Sequence, residues 1–127
     1  MSVALTLLGI QPGANETRVQ CKLTFSGAYA TFVAGPPASG GDVIDFTPLI
    51  GQAAGGVGVF AANNPPLSGQ IQGSTGDDYD FIPGPTLATS RVSINTTSNT
   101  QLGAGAYPAR ITGDLYLFGE FIFQSML

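Results

Sequence analysis

Residues 18–25, RVQCKLTF, alternate without a break: Val19, Cys21, Leu23 and Phe25 are apolar, while Arg18, Gln20, Lys22 and Thr24 between them are polar or charged. A period of two puts the two sets on opposite sides of an extended strand, so one face of this segment is core and the other meets water. No window of about twelve residues or more keeps the 3.6-residue period of an amphipathic helix. The 18 Gly and 9 Pro fall in clusters with short segments between them, which is how an all-β chain punctuates its strands.

Further strands are expected at 2–8 (SVALTLL), 42–46 (DVIDF), 56–60 (GVGVF), 68–72 (SGQIQ), 78–82 (DYDFI) and 90–95 (SRVSIN). Towards the end of the chain Ile111, Leu115, Leu117, Phe121 and Phe123 share one parity, and Gly113 and Gly119 interrupt it where a bulge or a close backbone contact is expected. The other parity starts polar at Arg110, Thr112 and Asp114 and becomes apolar at Phe118 and Ile122. The odd set is therefore assigned to the core, and Phe118 and Ile122 to contact with a neighbouring subunit. Pro-containing loops are expected at 34–41, 63–69 and 82–86, and a long connection at 98–109 is expected to lie over another subunit. The fold class that results is all-β: a single-domain β-sandwich, jelly-roll-like fold or small barrel with long Gly/Pro-rich loops.

A length of 127 residues suits one domain with its own core, spanning 1–127. Residues 1–10 read as an N-terminal arm or edge strand, with Val3, Leu5 and Leu7 facing a neighbour. Apolar residues make up 43% of the chain and charged residues only 9%, against roughly 25% charged in an average soluble domain. A surface this poor in charge solubilises a lone monomer weakly, so other protein is expected to cover much of it. The net charge of −4 repels phosphate backbones, which argues against nucleic acid as a partner. The beginning of the chain has no basic segment and too short an apolar run for a signal peptide or membrane span, so no membrane contact is expected. A single Cys allows no internal disulfide, which fits synthesis in a reducing cytoplasm.

The candidate chemical sites are few. The acidic stretch DDYD (77–80), with Asp42 and Asp45 elsewhere, has oxygen ligands but not the EF-hand spacing, and reads as a solvated turn leading into a strand. Paired carboxylates suit glycoside hydrolysis only at a set separation, and no accompanying motif places them there. Cys21 stands on the apolar side of its strand, and with no His in the chain it has no activating base. GQAAGGVG (51–58) and LGAGAYP (102–108) lack the spacing of a phosphate loop, and read as turns. The N-x-[ST] matches at 15–17 and 95–97 are expected by chance in so Asn- and Thr-rich a chain. No catalytic, cofactor-binding or metal-binding residues are assigned, and the chain is not expected to be an enzyme.

One pattern reaches further. A strand ending in Thr24-Phe25, an aromatic after a short turn (Tyr29), then Gly40-Gly41-Asp42 before the hydrophobic Ile44 to Phe46 resembles the order found in small phage virion proteins of the capsid decoration, or cement, type. YDFIPGPT (79–86) and GAYPARITGDLYLFGEFIF (105–123) look like their later strands, so the resemblance covers most of 15–125. The Pro-containing FVAGPPAS (32–39) departs from it. The resemblance implies a small all-β protein on the outer surface of a phage head, contacting the major capsid protein and its own copies as a dimer or trimer, with no catalytic residues. Two other readings stay open. One is a minor head-tail or tail-tube component, and the other is a carbohydrate-binding module of a virion spike using Tyr29, Tyr79, Tyr107 or Tyr116 as stacking platforms.

Overall fold

The alternating stretch lies inside the longest strand of one curled sheet. A computed structural model describes residues 3–54 and 58–126. In chain order these form β1 (Val3–Gln11), β2 (Glu16–Phe25), β3 (Ala28–Val33), β4 (Ser39–Ile44), a 3-10 turn (Thr47–Leu49), β5 (Ser68–Gln72), β6 (Asp78–Ile82), β7 (Ser90–Asn95), β8 (Gly105–Ala106), a helical turn α1 (Ala109–Thr112) and β9 (Phe118–Gln124). All neighbours pair antiparallel, in the order β1-β2-β9-β5-β6-β7-β4-β3-β8, and the sheet curls into a half-barrel. The fold is all-β, as the alternation and the Gly/Pro punctuation require. The curl brings β4 near β1 with no ladder between them. No described helix is long and apolar enough to cross a membrane.

The concave side is the core. Val19, Cys21, Leu23 and Phe25 of β2 all point into it and are buried. They are joined there by Ile71, Val92 and Ile94 and by Phe121 and Phe123 of β9, the last two fully buried. Phe46 centres one aromatic cluster, with ring centroids 4.9 Å from Phe121, 5.2 Å from Phe123 and 6.3 Å from Phe81, all edge to face. A second cluster stacks Phe25 on Tyr79 at 5.8 Å and sets Tyr107 against Phe25 at 5.3 Å and Tyr29 at 6.1 Å. Such pairings add about 0.5–1.5 kcal/mol each beyond the area they bury. Gly119 is the close contact expected of it: a Cβ there would meet Phe121 Cζ at 2.6 Å and Leu23 Cδ1 at 3.0 Å.

Strands β5, β6 and β7 have the expected bounds, and β1, β2 and β4 overlap theirs. Four differences stand out. Of the strand expected at 56–60, residues 56 and 57 lie outside the described residues, and Val59 makes only an isolated bridge to Ala53. Residues 110–117 are not strand: Pro108 leads into α1, and extended pairing begins at Phe118. Leu115 is consequently exposed, while Ile111 and Leu117 are core. β3 and β8 were not expected. They pair with each other, and the connection at 98–109 folds over this chain's own barrel, burying Leu102 and Tyr107.

Candidate functional site

The convex face is built on β9, which runs between β2 and β5. Register sets three rows across these strands: Lys22–Phe118–Gln72, Gln20–Glu120–Gln70 and Arg18–Ile122–Ser68. Because side chains alternate, every residue in these rows points away from the core. Phe118 is exposed and Ile122 half-buried, so the two faces of β9 differ as the parity argument requires. Tyr116 stands beside Phe118 and is also exposed. Together with Gln20, Gln70, Gln72 and Glu120 these rings line an open groove of about 480 Å³.

On β2 and β9 the outward charges balance, Arg18 and Lys22 against Glu16 and Glu120. Arg18 reaches Glu16 at 3.1 Å and Glu120 at 3.2 Å, and Gln20 Nε2 donates to the other Glu120 oxygen at 3.1 Å. These groups are more than two-fifths exposed, so each pair contributes only about 0–1 kcal/mol. Their effect is to hold the polar rim in place around Phe118 and Ile122.

The other expected interface residues lie elsewhere. Val3, Leu5 and Leu7 turn their side chains towards this chain's own core. Val3 is buried there, and Leu5 and Leu7 are half-buried against it. Their side chains are therefore not an outward-facing patch. Leu8 is exposed instead, placed outward by an irregularity between Leu7 and Gly9 that the sequence does not signal. Residues 3–11 form the edge strand of the two options, paired to β2 along their length.

The acidic residues separate. Asp77 is buried and takes a two-pronged contact from Arg110, Nε and Nη2 each at 2.9 Å. Asp78 and Asp80 point outward from β6. The solvated turn expected at 77–80 is thus a buried ion-pair anchor at its first residue, with a partner 33 positions away that local reading cannot supply. Asp42 is also buried and accepts from the Val43 N–H and the Tyr107 hydroxyl. Among the described residues no group of three or more acidic or thiol side chains converges to hold a metal ion.

Asp114 clamps the loop before β9: it accepts from Ser74 N at 2.8 Å, Ser74 Oγ at 2.7 Å and Tyr116 N at 2.9 Å. Burial by itself raises its pKa, but these three bonds outweigh it and hold the carboxyl below its ordinary range. A depressed folded pKa stabilises fully above the unfolded value of about 3.9, and the contribution disappears as pH falls through the lower folded value. Asp114→Asn is therefore expected to cost about 1.5–3 kcal/mol at pH 7, the scale of a hydrogen bond to a charged acceptor. In thermal melts from pH 7 down to 2 the gap between parent and variant should begin to narrow near pH 4, the unfolded value, and close only below the lower folded one. A gap independent of pH would assign the loss to shape alone.

Burial pushes the Cys21 thiol up to about 12, which leaves it protonated and unreactive at neutral pH. Of the four tyrosines considered as stacking platforms, Tyr29, Tyr79 and Tyr107 are buried and only Tyr116 is available. Tyr29 is a structural hub: its hydroxyl donates to Gln101 Oε1 at 2.9 Å and accepts from the Ile94 N–H at 3.1 Å. Comparison with protein-family models, with curated proteins and with solved structures finds no match to this chain.

Proposed function

We propose that this chain is a capsid decoration protein, attached to the outer surface of a phage head through the major capsid protein and stabilising the shell by contacts between subunits. The observation that carries the reading is the convex face of β9. Phe118 and Ile122 are displayed on a rigid three-strand platform, flanked by Tyr116 and by amides, inside a rim whose charges cancel. A central apolar patch with aromatic anchors and a neutralised polar rim is the anatomy of a protein-protein contact. A few hundred Å² buried there yields several kcal/mol at about 25 cal/mol/Å², before the costs of association. Repetition over a symmetric shell multiplies a contact of that size.

The double variant Phe118→Ala/Ile122→Ala tests this. Both side chains are partly exposed, so the thermal midpoint should move little, with a cost on the order of 1 kcal/mol. Co-sedimentation with heads assembled from the major capsid protein of the same virion should fall at least about tenfold, the loss of one interface anchor. Undiminished co-sedimentation by the variant, or none by the parent chain, would defeat the reading.

A further inference from the structure

Between α1 and β9 the chain passes through Asp114, Leu115, Tyr116 and Leu117, and the ends of this turn differ from its middle. Asp114 and Leu117 are buried. Leu115 and Tyr116 between them are 68% and 67% exposed, more than any other large apolar side chain among the described residues. Phe118 follows directly and opens the outer face of β9. A single exposed leucine or tyrosine needs no explanation, but three such side chains within four positions form a contiguous ridge.

Bonds at both ends hold the ridge out in water. Asp114 Oδ1 accepts from Ser74 Oγ, forty residues earlier, and from the Tyr116 N–H inside the turn, so one atom ties the turn to the loop before β6. Glycine at 73 makes this approach possible, because a Cβ there would lie 2.7 Å from Asp114 Oδ2. At the other end Leu117 C=O accepts from the Leu23 N–H of β2 at 2.9 Å, and the Leu117 side chain is fully enclosed. A short turn pinned in this way keeps its apolar side chains in solvent, against the tendency of apolar surface to leave water.

We propose that Leu115 and Tyr116 are binding residues of the attachment surface, a knob that enters a recess of the partner protein, and that Asp114 is the positioning residue that presents them. This rests on the β9 face being the attachment surface, and it extends that surface off the sheet. Tyr116 borders two hollows: the groove of about 480 Å³ over β9, and a second of about 270 Å³ on the side of α1, edged by Ser74, Thr75, Arg110 and Leu115. A partner fitted to this shape has an apolar recess for the two side chains and rims that enter the hollows on either side.

A projecting pair needs a partner that surrounds it, which a second protein does and a small molecule does not. The recess is uncharged, because the charged side chains edging the two hollows are already matched within this chain: Arg110 with Asp77, Glu120 with Arg18, and Asp114 with its three donors. The clamp supplies order before contact. Immobilising a loop and its side chains during binding lowers affinity, and a turn already fixed in its bound shape avoids that loss. Apolar and aromatic side chains enclosed at the centre of a contact are where binding energy concentrates.

Titrated co-sedimentation with heads of the same virion tests knob and clamp separately, at a temperature where circular dichroism shows every variant folded. Leu115→Ala/Tyr116→Ala removes only exposed side chains, so its thermal midpoint should match the parent's while its affinity for heads falls at least about tenfold. Asp114→Asn should weaken attachment at least about threefold in the parent and not at all where Leu115 and Tyr116 are already alanine, since nothing is then left to position. Ser74→Ala, which removes one donor from outside the turn, should act in the same way with a smaller loss. Equal losses from Asp114→Asn in both backgrounds, or none in either, would overturn its role. Full affinity of Leu115→Ala/Tyr116→Ala would overturn the knob, and a loss in Phe118→Ala/Ile122→Ala alongside it would leave the β9 reading standing. A parent chain that does not sediment with heads removes both.

Discussion

Replacing Phe121 by Ala is expected to lower the unfolding free energy by about 3–5 kcal/mol, the range for truncating a fully buried phenylalanine. The ring is completely enclosed, edge to face with Phe46 at 4.9 Å and Phe81 at 5.0 Å. Its floor is glycine: a Cβ at Gly69 or at Gly119 would come within 2.6 Å of it. No side chain stands at those two positions to swing into the space, and both belong to laddered strands, so the cavity would persist instead of collapsing. Phe118, on the same strand, is the internal control. Its truncation removes a partly exposed ring and should cost on the order of 1 kcal/mol. Urea titrations followed by far-UV circular dichroism compare the two, and equal midpoints would contradict the division of β9 into an inner and an outer face. A total stability of about 5–15 kcal/mol leaves little after the larger loss, so Phe121→Ala should also reduce the yield of soluble protein.

A backbone change of comparable size is expected from Gly40→Ala. Gly40 sits in β4 at φ +71°, and an added Cβ would lie 1.8 Å from the Thr31 carbonyl oxygen and 2.7 Å from its carbon. The left-handed conformation alone costs a residue with a side chain about 1–2 kcal/mol. The clash is with backbone of β3, which register holds against β4 through Ala30 and Gly41, so relief requires the two strands to part. The combined cost is expected to be at least about 3 kcal/mol. Hydrogen exchange should speed up in 28–33 and 39–44 well before it does in β2 and β9. Ser39→Ala, one residue earlier and exposed, should stay within about 0.5 kcal/mol of the parent. Unchanged exchange in β3 for Gly40→Ala would mean that its φ does not matter.

What could be read from the chain depended on how far apart the deciding partners are. The alternation at 18–25 needs only its own residues, and the strands at 68–72, 78–82 and 90–95 are framed by turn-forming neighbours; all four appear in the structure. AYATFV (28–33) carries little alternation of its own, since only Tyr29 is deeply buried, and it is held by Tyr29 and Phe32 bonding to Gln101 some seventy positions on. Parity along 110–117 placed Leu117 and Ile111 correctly but not Leu115, because the path there is bent by α1 and by Asp114 clasping Ser74 forty residues away. At the candidate surfaces, the outward pair Phe118 and Ile122 followed from alternation. The orientation of β1 did not. Whether Val3, Leu5 and Leu7 look in or out is decided by their register against Phe25, Leu23 and Cys21, a relation between two strands that neither contains alone.

The two margins of the sheet are unequal: nine residues of β1 at one, two residues of β8 at the other. A protein with two good margins is a monomer for open-ended polymerisation, each added molecule exposing a fresh template for the next. Here one margin is long, and the short one offers too few amides to seed an addition. The described sheet therefore has no second long margin from which a ladder could continue, which matters for a chain with so little charge to keep its molecules apart.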